Sequence, residues 1–275
     1  MRLFLSINYV RMPDLCAKPR GNRVKKFIVV CVSLLGLIGF AVNTTKAAEF
    51  SPEQKTAIQK IVHEYVVAHP EVLVEASQVL QQRQQQQMMQ QANVAIKANR
   101  QQLFAGNSPV AGSPTAKVNM VEFFDYQCVH CREVAPMVKK IMDTNKTVRV
   151  IFKELPILGQ DSVTASKAAL AANLQGKYLA LHDAMFKSQK SLSEEQILSL
   201  AKSVGLDVDK LKQDMNSTAV QAELQANMDL AQKIGVMGTP AFIIATNTQG
   251  DNMKVFFVPG AKSLGQMLSY IHQAQ

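Results

Sequence analysis

The spacing of apolar residues divides the chain into a helical N-terminal part and a mixed C-terminal part. Between residues 50 and 104, apolar positions recur every three or four residues, which is typical of amphipathic helices. The pattern is expected to break at His69 and Pro70, because the residue before a proline disfavours the helical conformation. Residues 48–104 are therefore predicted to hold two helices.

Beyond residue 116, short apolar runs alternate with helical stretches, as in α/β proteins. The predicted elements are a strand at 118–125, a helix at 128–143, a strand at 148–155, a helical stretch at 162–234, strands at 241–245 and 254–258, and a helix at 262–272. Strand, helix and strand followed by strand, strand and helix is the order of the thioredoxin fold. We predict an α/β domain of this type at 117–275, with an inserted helical subdomain at about 160–234.

The stretch between these two parts has no apolar period. Residues 105–116 are dense in glycine, serine and proline, which is typical of a linker. Two helices with apolar stripes cannot bury those stripes alone, so residues 48–104 are predicted to pack against a second copy of the chain, as a homodimer or higher oligomer. Packing against the C-terminal domain of the same chain is the alternative.

The segment 1–47 carries the pattern of a secretory signal peptide. Two lysines precede an apolar run at 27–42, and Thr45 and Ala47 fit a small-residue cleavage site. Cleavage is expected near Ala48, which would make the mature protein periplasmic. An uncleaved anchor is the alternative, because the run approaches the length of a membrane-spanning helix.

Charge and cysteine content change once this segment is set apart. The whole chain has a formal net charge of +9, but beyond residue 47 it holds 22 Lys and Arg against 20 Asp and Glu, so no nucleic-acid partner is expected. Cys16 and Cys31 fall within the segment, which leaves Cys128 and Cys131. In an oxidising compartment, a lone pair at this spacing favours catalysis or metal binding over a structural disulfide.

Cys128 and Cys131 follow an apolar strand and open a predicted helix. Free backbone N–H groups and the helix dipole favour a thiolate over a thiol at such a position. His130, between the two cysteines, adds a donor or a positive charge that stabilises the same anion. Cys128 is predicted to be the exposed nucleophile, and Cys131 the buried resolving thiol of a redox-active disulfide.

Three other interpretations of the cysteine pair fit the sequence less well. A zinc site would need further ligands, and the mature chain has no other cysteine pair and no suitably spaced histidines. A haem attachment site would need histidine where Arg132 stands. A structural disulfide closing so short a loop would constrain the unfolded chain little. No metal and no cofactor is expected.

A second motif lies far along the chain, where Thr239 and Pro240 precede an apolar strand. With the C-x-x-C pair, it makes residues 116–275 resemble the DsbA-like thiol-disulfide oxidoreductases of the thioredoxin superfamily. The resemblance implies that the bond before Pro240 is cis, a geometry essentially confined to proline, and that this loop docks the substrate chain. It also implies that the N-terminal helices are the dimerisation region of a subset of these enzymes.

Two charged residues acquire roles from the same resemblance. Glu122, six residues before Cys128 in an otherwise apolar strand, matches the buried acid that tunes the dithiol in this family. Lys153, on the next predicted strand, is its expected charge partner. The implied partners are exported client proteins with thiols or disulfides, and a membrane redox partner.

The chain also departs from the pattern of the strongly oxidising family members. Val129 stands where they usually have proline, and Thr239 stands where they have valine, as in the isomerase and reductase branches. We therefore expect a protein-disulfide oxidoreductase that both introduces and isomerises disulfides. The alternatives are a periplasmic protein that holds Cu(I) on the two thiolates, which are soft ligands, and an oligomeric scaffold in which the thiols are incidental.

Overall fold

The computed structural model of the protein describes residues 49–246 and 253–275. The predicted signal peptide at 1–47 lies outside the described residues. The chain divides into two compact units between His69 and Pro70, where the sequence predicted a helix break. Within the described ranges, no helix is both long enough and apolar enough to span a membrane.

The first unit contains helix α1 (Pro52–Ala68). The helix begins with a capping box, in which Ser51 Oγ accepts the backbone N–H of Gln54 and the Gln54 side chain accepts the N–H of Ser51. Its end at Ala68 confirms the predicted break. The apolar residues of the predicted stripe are exposed on α1, among them Ile58, Ile61, Val62 and Tyr65.

The second unit begins with helices α2 (Glu71–Ala98) and α3 (Arg100–Phe104). The sequence placed a domain boundary after them, in a linker at 105–116, but both helices belong to the same compact unit as the C-terminal domain. The reason is hydrophobic burial, because Ile96 and Leu103 are fully buried among residues of the central sheet.

A five-stranded mixed sheet forms the centre of the second unit. Its strands are β1 (Val110–Gly112), β2 (Val118–Phe124), β3 (Val148–Glu154), β4 (Ala241–Thr246) and β5 (Val255–Pro259). The strand order is β1-β3-β2-β4-β5, in which β2 and β3 are parallel and the other pairs antiparallel. The four strands predicted beyond residue 116 are confirmed.

Strand β1 lies within the predicted linker, which is therefore not a free connection. Its residues pair with β3 and tie this segment to the edge of the sheet. Gly112 has a φ of 100°, and a Cβ atom there would lie 2.7 Å from the carbonyl oxygen of Val148. The close approach of the two strands thus requires glycine at this position.

Helices cover both faces of the sheet. Helix α4 (Val129–Thr144) connects β2 to β3, and α10 (Leu264–Gln273) follows β5. The long helical stretch predicted between β3 and β4 is divided into α5 (Gln160–Leu174), α6 (Tyr178–Lys187), α7 (Glu194–Ser203), α8 (Val208–Met215) and α9 (Thr218–Lys233). This is the mixed α/β architecture with a helical insertion that the sequence predicted.

The sheet separates two buried clusters, because successive side chains of a strand point to opposite faces. Met120 and Phe124 of β2 belong to a cluster that contains both cysteines and residues of the inserted helices; we call this side the dithiol face. Val121 and Phe123 belong to a cluster that contains Ile96 of α2; we call this side the α2 face.

Candidate active site

Cys128 lies at the junction of β2 and α4. It is the N-cap residue of α4, and its Sγ accepts the backbone N–H of Cys131 at 3.4 Å. The strand turns into the helix through a tight turn, in which the N–H of Cys128 donates to the carbonyl oxygen of Asp125 at 3.1 Å. The Cys128 sulfur is thereby held at the free amide groups of the helix start.

The two cysteines differ less in burial than the sequence predicted. Cys131 is fully buried, and Cys128, which was predicted to be exposed, keeps 7% of its surface. Both are free thiols. Burial raises the pKa of the Cys131 thiol, because desolvation disfavours the thiolate. Cys128 is thus the cysteine of the pair with a small opening to solvent.

The peptide bond between Thr239 and Pro240 is cis, as predicted. The thiol of Cys128 donates to the carbonyl oxygen of Thr239, with a distance of 3.3 Å from Sγ to oxygen. These residues meet because β4 pairs antiparallel with β2, so the start of β4 at Ala241 lies opposite Phe123 near the end of β2. The loop that precedes β4 therefore lies beside the dithiol.

His130 lies on the exposed side of the first turn of α4. Its Nδ1 is 3.0 Å from Oε2 of Glu133, and both side chains are exposed. Solvent screening makes such a pair weak. The sequence predicted that His130 stabilises a Cys128 thiolate. In the structure its ring contacts Glu133 instead, so stabilisation of the thiolate by His130 remains a prediction.

The predicted pairing of Glu122 with Lys153 is wrong. In the parallel ladder, Glu122 is level with Phe152, and Lys153 is level with Phe123. Because neighbouring residues of a strand point to opposite faces, the side chain of Glu122 lies on the dithiol face and that of Lys153 on the α2 face. The central sheet separates the two side chains.

Lys153 belongs instead to a polar cluster that joins the segment before β1 to the sheet. Its Nζ donates to Ser108 Oγ at 2.7 Å and to the carbonyl oxygen of Gln102 at 3.0 Å. The Ser108 hydroxyl donates to a carboxylate oxygen of Glu223 on α9. Burial lowers the pKa of Lys153, and the negative charge of Glu223 opposes this shift. These contacts anchor the chain between α3 and β1.

Glu122 is a buried acid on the dithiol face. Only 2% of its surface is exposed, and desolvation raises its pKa to about 8. An acid with such a pKa can accept or release a proton near neutral pH. Its tuning role remains a prediction, and Lys153 is not its partner.

A buried network on the dithiol face was missed by the sequence analysis. Glu154, at the end of β3, accepts hydrogen bonds from the hydroxyls of Tyr126 and Tyr178 at 3.2 and 2.7 Å, and the Tyr126 hydroxyl lies 3.0 Å from Nδ1 of His182. Desolvation raises the pKa of Glu154 to about 8 and lowers the pKa of His182 to about 3. The sequence held a signal for this network, because Glu154, like Glu122, is a carboxylate in an otherwise apolar strand.

Asp125 fixes the chain on both sides of the dithiol turn. It is fully buried, and its carboxylate accepts hydrogen bonds from the backbone N–H groups of Ile157 and Leu158 at 2.8 and 3.0 Å and from the hydroxyl of Ser162 at 2.7 Å. These bonds hold the loop after β3 against the turn that leads to Cys128. The acid therefore positions the approach to the dithiol.

A mixed sheet, a dithiol at a helix start and a cis-proline loop beside it define a thioredoxin-fold dithiol protein. Residues 119–272 match the model of the DSBA-like thioredoxin domain, and residues 54–87 match that of the copper resistance protein ScsC N-terminal domain. The chain belongs to the DsbA-like family of thiol-disulfide oxidoreductases.

Two solved structures show the extent of this likeness. BcfH from Salmonella enterica Typhimurium is 32% identical with a TM-score of 0.70, over 81% of this chain and 96% of that one. A thioredoxin-like oxidoreductase from Silicibacter pomeroyi is 39% identical with a TM-score of 0.59, over 64% and 97% of the respective chains. The coverage by BcfH shows that the likeness extends N-terminal to β2.

Curated relatives match a smaller part of the protein. The probable disulfide bond formation protein D of Bacillus anthracis is 29% identical over 149 residues, which are 50% of this chain and 69% of that protein. The chain spans 21% of the length of the first curated relatives that it matches, the Na(+)/H(+) antiporters NhaA of two Salinispora species. Family membership therefore does not by itself assign clients or partners.

Proposed function

We propose that this protein exchanges disulfides with client proteins exported to the periplasm, using Cys128 and Cys131. The observation that carries the proposal is the position of the Cys128 sulfur, at the start of α4 and 3.3 Å from the carbonyl oxygen of Thr239. Amide groups at a helix start favour the thiolate that exchange requires. Cys131, one helical turn away, completes the dithiol.

In the oxidising direction, a client thiolate attacks the Cys128 sulfur of the Cys128–Cys131 disulfide. The bond between the two protein sulfurs breaks, a client–Cys128 bond forms, and Cys131 leaves as a thiolate that takes up a proton in its buried site. A second client thiolate then attacks the client sulfur, and Cys128 leaves. The client loses two electrons and the protein gains them, so an oxidant, proposed to be a membrane redox partner, must restore the protein disulfide.

In the isomerising direction, the reduced protein begins the exchange. The Cys128 thiolate attacks a client disulfide, forms a mixed disulfide and releases one client thiolate. After the client has rearranged, another of its thiolates displaces Cys128, with no net transfer of electrons. Val129 and Thr239, which differ from the residues of strongly oxidising members, support this mode.

Replacing the attacking sulfur tests the assignment directly. Cys128→Ser is expected to abolish oxidation of a dithiol peptide and reactivation of a scrambled multi-disulfide protein, because the group that forms the mixed disulfide is gone. Both rates are measured with residues 48–275. Retained activity in this variant would refute the assignment.

Removing the resolving thiol has a different expected result. Cys131→Ala leaves Cys128 able to attack a client disulfide and form a mixed disulfide. It removes the thiolate that can attack Cys128 and expel the client when no client thiolate does so. We expect client adducts to accumulate as high-mass bands on non-reducing gels, and to disappear with reductant. If the variant forms no adducts with a client disulfide that the native protein rearranges, the role of Cys131 is contradicted.

The N-terminal region is proposed to make a homodimer. The support is the row of exposed apolar side chains on α1, together with the match of residues 54–87 to the ScsC N-terminal domain. A dimer places two dithiols on one assembly, which suits repeated attack on a misfolded client.

Removal of α1 distinguishes an isomerase from an oxidase. The chain is best shortened to 70–275, at the boundary of the compact unit, because a cut at residue 106 would remove the buried Ile96 and Leu103. If residues 48–275 reshuffle disulfides and residues 70–275 only oxidise thiols, then α1 builds the isomerase. If both forms only oxidise, the protein is an oxidase with an accessory helix.

Copper handling is a second candidate function, favoured by the match of residues 54–87 to a domain of a copper resistance protein. In the part of the chain that the structure describes, no group of three or more His, Cys, Asp or Glu side chains could hold a metal ion. A site would therefore consist of the Cys128 and Cys131 thiolates, which suit Cu(I). Stoichiometric Cu(I) binding without exchange on peptide disulfides would favour this function over the enzyme.

A further inference from the structure

The inserted helix α6 contacts the chain on both sides of the dithiol. Before the dithiol, the Tyr126 hydroxyl lies 3.0 Å from Nδ1 of His182, which is on α6. After the dithiol, the guanidinium group of Arg132 donates to the carbonyl oxygen of Ser188 at 3.2 Å, where α6 ends. The segment that carries the two cysteines is therefore attached to one helix at both of its ends.

Tyr126 is held by its ring as well as by its hydroxyl. Its side chain is fully buried, and its ring centroid lies 4.9 Å from that of Phe186 and 5.6 Å from that of His182. Phe186 and His182 are four positions apart on α6, so they share one face of the helix. Because aromatic rings at such separations attract each other, the Tyr126 ring is packed firmly against α6.

The hydrogen bonds at the Tyr126 hydroxyl form a directed chain. A tyrosine hydroxyl has one proton to donate, and Tyr126 donates it to Oε1 of Glu154 at 3.2 Å. Desolvation lowers the pKa of His182 to about 3, so its ring is neutral near pH 7 and carries one N–H. Because the Tyr126 proton is already used, Nδ1 of His182 is the donor to the Tyr126 oxygen. The chain runs from α6 through Tyr126 to the end of β3.

Tyr126 lies inside the tight turn that sets the position of the Cys128 sulfur. The N–H of Cys128 closes this turn with a hydrogen bond of 3.1 Å to the carbonyl oxygen of Asp125. The sulfur itself lies 3.4 Å from the backbone nitrogen of Cys131 and 3.3 Å from the carbonyl oxygen of Thr239. Sulfur forms only weak hydrogen bonds, so the position of this atom depends on the turn.

The turn matters most in the reduced protein, which is the form with free thiols that the structure shows. In the oxidised protein, the bond between Cys128 and Cys131 ties the first sulfur to the start of α4. In the reduced protein that bond is absent, and the contacts of Tyr126 hold the turn. An interaction that stabilises the dithiol more than the disulfide makes the disulfide a stronger oxidant.

We propose that α6 positions the reduced dithiol through Tyr126 and thereby makes the Cys128–Cys131 disulfide a stronger oxidant. Tyr126 is a positioning residue, because its side chain is fully buried and acts on the sulfur through the turn. This role rests on the proposed disulfide exchange, and it gives the inserted subdomain an influence on the direction of that exchange.

The redox equilibrium of residues 48–275 with glutathione tests this role. Two glutathione thiols reduce the protein disulfide, the protein gains two electrons and two protons, and glutathione disulfide forms. Tyr126→Phe removes the hydroxyl with its two hydrogen bonds and keeps the ring. We expect the equilibrium constant for reduction of the protein to fall roughly 3- to 10-fold, which corresponds to the net effect of about one hydrogen bond.

Tyr178→Phe is the matched control. Tyr178 donates its hydroxyl to the same Oε1 of Glu154 at 2.7 Å, but it lies on α6 and not in the turn. It should keep the wild-type constant. A purely structural role of Tyr126 would lower the free energy of unfolding of the oxidised and reduced proteins equally, and would leave the constant unchanged.

The outcomes separate this role from the proposed function. An unchanged constant in Tyr126→Phe, or an equal fall in Tyr126→Phe and Tyr178→Phe, would overturn the inference while leaving disulfide exchange in place. A wild-type protein whose cysteines do not equilibrate with glutathione would refute the proposed disulfide exchange, and the positioning role with it.

Two substitutions of His182 test the contribution of α6. His182→Leu removes the donor at Nδ1 and is expected to lower the constant, as Tyr126→Phe does. His182→Asn provides an amide N–H near the position of Nδ1 and is expected to restore most of the wild-type constant. If the two variants lower the constant equally, or if neither changes it, the hydrogen bond from α6 does not position the dithiol and the inference is overturned.

Discussion

At the scale of single residues, desolvation sets the ionisation of the buried groups on the dithiol face. It raises the pKa of both Glu122 and Glu154 to about 8 and lowers the pKa of His182 to about 3. All three are therefore mostly neutral in the folded protein near pH 7. In the unfolded chain the acids ionise around their ordinary pKa of 4.5, and the histidine protonates around its ordinary pKa of 6.5.

These shifts affect stability with opposite signs. The folded protein keeps protons on Glu122 and Glu154 that the unfolded chain releases. The contribution of these two acids to the free energy of unfolding is therefore full below pH 4.5 and is lost as the pH rises through 8. The contribution of neutral His182 is full above pH 6.5 and is lost as the pH falls towards 3. Among these three groups, Glu122 and Glu154 are the ones whose titration changes the free energy of unfolding between pH 6.5 and 8. Each changes it by up to about 1.4 kcal/mol per pH unit.

Glu154→Gln is expected to weaken this pH dependence. The amide oxygen can still accept the hydroxyls of Tyr126 and Tyr178, but the side chain has no proton to release. Urea unfolding at pH 6.5 and pH 8 should show that the variant loses about half as much free energy of unfolding as the wild type over this interval. Glu195→Gln, at an exposed position, serves as the control and should keep the wild-type loss. An unchanged pH dependence in Glu154→Gln would show that release of the Glu154 proton does not cause the loss.

At the scale of elements, the last turns of α2 belong to the hydrophobic core rather than to a separate N-terminal region. Ile96 is fully buried in the cluster on the α2 face, where it joins residues of β2, β3 and α9. Burial of this side chain explains why the compact unit begins at Pro70, before α2, and why the chain after α2 follows the edge of the sheet.

Ile96→Ala is expected to lower the free energy of unfolding by about 2–4 kcal/mol, because it leaves a cavity in this cluster. Val94→Ala, two residues away on the exposed side of α2, should change it by less than about 0.5 kcal/mol. Urea unfolding of residues 48–275 gives both values. Equal, small effects of the two substitutions would show that α2 is not part of the cooperative core.

At the scale of the whole molecule, α1 carries exposed apolar side chains that we assign to an interface between copies of the chain. Ile61, with 65% of its surface exposed, tests this assignment. Ile61→Lys is expected to weaken self-association at least about 10-fold, because it puts a charge into an apolar contact. Sedimentation equilibrium of residues 48–275 measures the change.

Gln59→Lys adds the same charge to an exposed polar position of α1 and should leave self-association unchanged. If Ile61→Lys and the wild-type protein sediment alike as monomers, residues 54–87 do not form the proposed homodimer. If both sediment alike as dimers, the interface lies elsewhere on the chain.

The sequence by itself determined the elements and the reactive groups. Apolar spacing is a local property, so it located the break at Pro70, the four strands beyond residue 116 and the helical insertion. The position of Cys128 at a helix start also follows from a short motif. Each of these features depends on neighbours within a few residues along the chain. The cis bond before Pro240 was implied instead by the resemblance to the DsbA-like family.

Only the tertiary structure decided which distant groups meet. Strand β2 is buried on both faces, so its apolar pattern does not reveal that Glu122 and Lys153 lie on opposite sides of the sheet. The pairing of β1 with β3 and the burial of Ile96 depend equally on contacts between remote segments. Such contacts are set by strand register and by packing of side chains in three dimensions, which local patterns do not encode.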